Sequence, residues 1–504
     1  MKKKETKSPF YKHENHPAPV SRRDFMSICA NGVIGGVLAP SFSSIFAQSA
    51  FAADCPAPTV AANLVPHLII DLAGGANIMG GGVAVRGTNG AYLEGATGLG
   101  MAAGTFEAPL DYGIKIQKYS AFAKAFGHII SPQTKSKLFG MSIACISGDD
   151  TNSNPQNLSQ SIAKANGVGS LLANAGTQTG ASGGNSRLTI GAESGNLQPT
   201  LVRGFTDARN IVDPGQILTL LGPNKSRIIR RAIANMSEAH VKAFDRKTFP
   251  EQLAALVSCK ITAAERLPDQ VSSDALDPRN DPAIVGFLQG LAPLTDNGGV
   301  NAFINFNFNT QLVNQVVTLV HLLCNGYTNV ATITLGGFDY HGQGKPTQNL
   351  KDLEAGTIGA LALEIARLKG VPLTIQYITD GHCTAGAGAA TDQIINNGMG
   401  PQAFASFTND AGQSSGTVVV GVAVQDIASK PVLISGMTPE IGQYSQTGVH
   451  LAGSPTGNSV TKTQDAVLLN LLALSGREDK ISEITGRSMT DAEKNNLLRL
   501  GRLF

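Results

Sequence analysis

Two pairs of residues have the types and the spacing to do chemistry. Asp339 and His341 close the stretch N-V-A-T-I-T-L-G-G-F-D-Y-H, residues 329–341. Asp380 and His382 close L-T-I-Q-Y-I-T-D-G-H, residues 373–382. In each, an apolar, β-branched run reads as a buried strand that ends in Asp-x-His. Residues i and i+2 of an extended segment point to the same face. Each pair therefore presents one carboxylate and one imidazole together. Without thiolates, that is the ligand set of oxygen-rich Zn, Mn or Fe sites. Open α/β sheets gather ligands beyond the carboxyl ends of their strands, which is where both pairs sit. The alternative for either pair is a turn-forming aspartate beside a surface histidine.

The elements that must position these pairs can be read from the pattern around them. An amphipathic helix is predicted over 349–369, closed by Gly370, with a strand on either side. Strand, helix, strand is a βαβ unit, so its strands run parallel and both pairs lie on one sheet edge. Residues 64–72 predict the first core strand, with Asp71 at its end. Residues 138–147 predict another, running into G-D-D-T-N-S-N-P over 148–155. Pro155 suits a first helical position and Asn154 a cap. This junction gathers hydroxyls where backbone N–H groups and a helix dipole favour an anion. Thr151 is its candidate nucleophile, with Ser147 and Ser153 as alternatives. Ordinary capping and Asx-turn chemistry would use the same residues.

Residues 417–424 and 431–435 predict further strands, 444–457 a polar loop containing His450, and 461–475 and 490–500 closing helices. His321, inside the apolar helix predicted over 308–323, reads as a core or capping residue. The expected fold is a three-layer αβα arrangement with a mostly parallel central sheet. Residues 160–300, loop-rich and then helical, read as an insertion in a single domain spanning 53–504.

Composition narrows the classes. The 504 residues carry a net charge of +2, and no basic patch is dense, which argues against a nucleic-acid partner. A hydrophobic content of 42% suits a large core, while 57 glycines and no Trp point to many tight turns. The G-G-G-V-A-V-R-G segment at 80–87 lacks the ending and spacing of a phosphate-binding loop. At the N-terminus, Lys-rich residues precede Ser21-Arg22-Arg23-Asp24-Phe25-Met26, a mildly apolar stretch and an Ala-Phe-Ala at 50–52. Residues 1–52 thus resemble a twin-arginine signal peptide. That implies a periplasmic or secreted protein, with the twin-arginine export machinery as a partner. No other run is long and apolar enough to span a bilayer, so no membrane association is expected after cleavage. Of six cysteines, Cys29 would leave with the signal. The other five are scattered, and a disulfide is permitted but not required.

A twin-arginine signal, a first strand ending L-A-G-G, a late G-G-F-D-Y-H and a strand ending T-D-G-H together resemble one family. It is the bacterial exported family called domain of unknown function 1501, grouped with the alkaline phosphatase and sulfatase superfamily. The resemblance covers most of 64–475 in order of elements, and G-G-F-D-Y-H is its specific stretch. It implies an alkaline-phosphatase-like fold with two metals held at strand ends and a hydroxyl nucleophile at a helix start. By this likeness Asp71 is the first-strand metal carboxylate. Asp339 and His341 are ligands of one metal, Asp380 and His382 of the other, and His450 is the late histidine ligand. The chain departs from the pattern in places. Asp339 and His341 are two apart where the superfamily usually has four, and Gly381 separates Asp380 from His382. Thr379-Asp380-Gly381-His382 stands where the family commonly has Ser-Glu-Phe-Gly. No nucleophile motif stands out.

The expected activity is metal-dependent hydrolysis of a small-molecule phosphate or sulfate ester, with a divalent ion (Zn, Mn or Mg) as cofactor. The alternative is a non-catalytic exported envelope protein that keeps the fold for binding or assembly. The export reading has a direct test. Changing Arg22 and Arg23 together to Lys should abolish export, and N-terminal sequencing of the exported wild type should begin after Ala52. Unchanged export of the double variant, or a mature form that keeps Met26, would sink it.

Overall fold

The computed structural model describes residues 64–80, 82–93, 99, 109–118, 120–146, 154, 156–165, 171–178, 199–213, 271–295, 302–340, 345–379, 381, 383–385, 393–394, 401–402, 407–410, 415–424, 432–456 and 459–503. The predicted signal peptide, Thr151, His341, Asp380 and His382 lie outside these residues, as does most of the predicted helical insertion.

Eight strands form the main sheet. They are His67–Leu72 (β1), Leu138–Ala144 (β2), Ala175–Gly176 (β3), Thr200–Leu201 (β4), Val330–Leu335 (β5), Leu373–Thr379 (β6), Gly416–Val422 (β7) and Glu440–Ile441 (β8). Their spatial order is β8-β2-β7-β6-β1-β5-β3-β4. Strand β1 pairs in parallel with β6 on one side and β5 on the other. Strands β3 and β4 continue that direction. Strand β7 alone runs antiparallel, between β6 and β2. Two reversals restore the direction, so β2 runs with the rest and β8 pairs with it in parallel. The carboxyl ends of β1, β2, β5 and β6 therefore share one edge.

The long strands are near-continuous runs of Ile, Val, Leu and Thr because both faces of the sheet are covered. Alternate residues of β1 enter different cores. Leu68, Ile70 and Leu72 pack with helices Ala121–Ile129 (α1), Gln311–Cys324 (α4) and Lys345–Leu368 (α5). Ile69 packs with Ser159–Lys164 (α2) and Val460–Leu474 (α6) on the other face. A further short helix, Phe205–Asn210 (α3), comes after β4. The architecture is thus α/β, a mixed, mostly parallel sheet flanked by helices, as the alternation of elements predicts.

Two details differ from expectation. Of the strand predicted over 431–435, the described residues 432–435 do not join the sheet: Leu433 makes an isolated bridge to Leu500, Gly436 turns the chain at φ +81°, and Glu440–Ile441 takes the edge position instead. The segment from Tyr444 is a loop as expected, with Gln446, Thr447 and Val449 exposed, but its Tyr444 and His450 turn inward and are buried.

Nor is every inward residue apolar. On the α2/α6 face, His67 Nδ1 lies 2.8 Å from Thr374 Oγ1, and Nε2 lies 3.3 Å from Gln376 Oε1. Gln376 Nε2 donates to Thr417 Oγ1 at 3.0 Å, and Thr417 donates to the Tyr377 carbonyl at 2.8 Å. This buried chain crosses β1, β6 and β7. A side-chain carbonyl only accepts, which assigns the His67 proton to Nε2. Burial pulls the His67 pKa down to about 4, and the Gln376 hydrogen bond offsets only part of that.

The shift carries a sign. The unfolded chain takes up the proton near 6.5, and the folded chain only near 4. Between those values the unfolded state binds more protons, so stability falls as pH drops through this window. The loss should approach about 3 kcal/mol. Denaturant titrations from pH 7 to pH 4 should show this extra loss in the wild type and lack it in His67→Gln. Equal slopes in the two proteins would rule out His67 as the source.

Candidate active site

Asp71 is the penultimate residue of β1, in register with Thr334 on β5 and Ile378 on β6. It is 1% exposed. Isolated carboxylates are not buried cheaply, so its partners matter. Asn154 Nδ2 donates to Asp71 Oδ1 at 2.8 Å, and Thr334 Oγ1 donates to Oδ2 at 3.4 Å. The end of the first strand is thereby tied both to its neighbour β5 and to the junction beyond β2.

Asn154 is not the helix cap that the sequence suggests. Its Oδ1 accepts from the Gln156 N–H at 3.0 Å, closing an Asx-type turn, while its amide reaches Asp71. The helix starts only at Ser159, whose N–H donates to Asn157 Oδ1 at 2.9 Å. Asn157 Nδ2 in turn approaches Thr332 Oγ1 on β5 at 3.4 Å. Asn154 and Asn157 therefore serve the sheet edge before the helix begins. Thr151, three residues earlier, lies outside the described residues.

The turn after β1 ties down both predicted Asp-x-His strand ends. Ala73 N–H donates to the Leu335 carbonyl at 2.9 Å, and Phe338 N–H donates back to the Ala73 carbonyl at 3.2 Å. On the other side, Ala76 N–H donates to Thr379 Oγ1 at 2.9 Å, and that hydroxyl donates to the Leu72 carbonyl at 3.1 Å. The residues directly ahead of Asp339 and Asp380 are thus held by one four-residue turn. Strands β5 and β6 are near neighbours with β1 between them, two strand spacings or about 10 Å apart. Asp71 sits on the strand in the middle.

Within G-G-F-D-Y-H, alternation is plain. Phe338 and Tyr340 are fully buried, and the Tyr340 hydroxyl donates to Asp352 Oδ1 at 2.9 Å. Asp339, between them, is exposed. His341, Asp380 and His382 lie outside the described residues. His450 is buried on a hairpin closed by Leu451 N–H to the Gln443 carbonyl at 3.0 Å, and it bridges to Tyr444. The Tyr444 N–H donates to the Arg86 carbonyl at 2.9 Å. Among the described residues no group of three His, Cys, Asp or Glu side chains is placed to hold a metal. Asp71, Asp339 and His450 thus form no such group by themselves.

Thiol chemistry is not available at Cys145 or Cys324. Cys145, one residue past β2, and Cys324, at the end of α4, are both free and buried. Burial pushes each thiol up to about 12, so neither is a thiolate at neutral pH. His321, as expected, is a core residue: it is buried, and Nε2 lies 2.9 Å from the Ala275 carbonyl.

The close approach of the turn to Asp339 generates a prediction. Gly74 has φ +117°, and a Cβ there would stand 2.6 Å from the Asp339 backbone nitrogen. Gly90 has φ +78° with open space around it. Both positions carry the left-handed strain of a substitution, about 1 kcal/mol. Only Gly74→Ala adds a backbone clash, so it should cost about 2 kcal/mol more than Gly90→Ala. Denaturant midpoints of the two variants check this, and equal losses would remove the proposed contact.

No family model, curated protein or solved structure matches the chain.

Proposed function

We propose that the chain is an exported, metal-dependent hydrolase of phosphate or sulfate esters, related to the family with domain of unknown function 1501 and built on an alkaline-phosphatase-like fold. The observation that carries this reading is the Asn154 to Asp71 hydrogen bond at 2.8 Å. It brings Asn154, the residue that follows the hydroxyl-rich sequence 147–153, to the first-strand carboxylate, and the turn after β1 holds the residues ahead of both Asp-x-His sequences. A divalent ion suits the donor types that the sequence supplies at these strand ends, carboxylates and imidazoles, of which Asp71 is buried at the end of β1. Asp71, Asp339, His341, Asp380, His382 and His450 are the residues that would hold Zn, Mn or Mg. When bound, the ion would polarise the ester oxygens and stabilise the leaving group.

The chain's own groups do the rest. Thr151 Oγ is the proposed nucleophile, delivered by the junction that Asn154 anchors. Asn154 orients Asp71 by its amide, and Thr334 restrains the second carboxylate oxygen from β5. The twin-arginine reading puts this chemistry in the periplasm or outside the cell, with a small ester as substrate. No helix among the described residues is long and apolar enough to cross a membrane.

One observation favours the second reading, a non-catalytic envelope protein. Two neutral donors on a buried carboxylate are also what a purely structural Asp71 requires.

Metal analysis and hydrolysis of aryl phosphates and sulfates by the exported protein separate the readings. The purified protein should carry divalent metal, and chelation should stop turnover. Asp71→Asn and Thr151→Ala should each abolish activity, and Asn154→Ala should lower metal affinity or kcat/KM by roughly 10- to 100-fold. Protein that neither carries nor binds a divalent ion would transfer the assignment to the envelope-protein reading. Full metal-dependent activity in Thr151→Ala would move the nucleophile elsewhere in 147–153.

A further inference from the structure

A second feature lies along the same edge, on the far side of β5 from β1. An open cleft of about 510 Å³ is bounded by the ends of β3 and β5, the segment after β4, the first turns of α4 and the face of α5. Its charged residues are Arg203, Lys351 and Glu354, and its amides are Gln178, Gln311 and Gln315. Among the described residues, Leu335 is its one hydrophobic lining residue. Donors therefore outnumber acceptors, and two cations face one carboxylate.

Arg203 is held ready. Its Nε donates to the Thr177 carbonyl at 3.4 Å, and its backbone N–H donates to Asp207 at 2.8 Å. Its two terminal amino groups have no partner among the described residues. A guanidinium fixed through Nε presents those groups as a fork, the geometry that grips two oxygens of one anion. Across the cleft, Lys351 pairs with Glu354 at 2.9 Å, which uses one of its three donors. The side-chain amides of Gln178, Gln311 and Gln315 also have no partner among the described residues. Gln311 opens α4, so the positive end of that 14-residue helix adds to the same field.

We propose that this cleft is a binding subsite for a tetrahedral oxyanion group, phosphate or sulfate, gripped by Arg203 and assisted by Lys351. The subsite stands on these residues alone. Its role as the anchor for a second anionic group of an ester substrate rests on the hydrolase reading. Thr334 makes the connection: it lines the cleft, and its hydroxyl reaches Asp71 at 3.4 Å. A ligand bearing two anionic groups would span the two sites across one residue of β5.

Calorimetric titration of the exported protein with sodium sulfate and with inorganic phosphate, at constant ionic strength made up with sodium chloride, tests the subsite. Both anions should bind the wild type and the Asp71→Asn variant with similar affinity. Binding should weaken roughly tenfold or more in Arg203→Gln, the loss of a charge-assisted bidentate contact. Lys351→Met should weaken it less. Circular dichroism should report native folding for Arg203→Gln, because Arg203 is exposed. Undiminished binding in a folded Arg203→Gln, no binding to the wild type, or binding lost in Asp71→Asn but kept in Arg203→Gln would each overturn the proposal. Failure of the hydrolase reading is a different result: anion binding sensitive to Arg203, in a protein that takes up no metal and turns over no ester.

Discussion

Strand β1 is hydrogen-bonded on both sides by parallel partners, and the geometry of the whole sheet edge depends on that. A parallel neighbour contributes its carboxyl end to the same edge, so whatever the chain places after β5 and β6 is delivered beside the residues that come after β1. The turn 73–76 then converts neighbourhood into contact. Leu335, Phe338 and Thr379 are each hydrogen-bonded to it or to Leu72. The turn can do this because Gly74 takes φ +117° with the Asp339 backbone against its Cα. A side chain there would push the two loops apart.

Burial sets the second constraint. The sheet is covered on both faces, so a polar side chain on it is costly unless it finds a partner inside. Two regions of the α2/α6 face meet this requirement differently. At the start of β1, His67, Gln376 and Thr417 satisfy one another and stay uncharged, and the depressed His67 pKa is the signature of that neutrality. At its end, Asp71 takes bonds from an amide and a hydroxyl. The same strand thus carries a neutral polar chain at one end and a hydrogen-bonded carboxylate at the other.

Much of this arrangement is legible in the sequence. The apolar runs around Ile70, Ile333 and Ile375 mark β1, β5 and β6, and the helix between β5 and β6 marks their shared direction. The antiparallel direction of β7 is not legible, because the long segment between β6 and β7 constrains no crossover. Local and distant uses of one side chain also look alike in a sequence. Asn154 ahead of Pro155 has the form of a helix cap, yet its amide is spent on a carboxylate 83 residues earlier. His67 and its partners Thr374 and Gln376, 307 and 309 residues on, sit inside strands that read as simple core. The cleft residues Arg203 and Lys351 are single charges on separate elements, with no spacing to relate them. Only the fold brings them to one edge.

The signs of the charges along that edge limit what can occupy it. An anion approaching Asp71 meets a buried carboxylate in a medium that screens poorly, and like charges so placed repel strongly. In the proposed hydrolysis, a divalent ion at the strand ends would offset that repulsion before an anionic ester arrives. The cleft beyond β5 carries no such restriction. Arg203 and Lys351 outweigh Glu354, and the cleft is open to solvent, where an anion keeps part of its hydration. Thr334 stands between the two environments with its hydroxyl on Asp71 and its position in the cleft wall. One residue of β5 thus touches both a buried carboxylate and an open cleft that holds two cationic side chains.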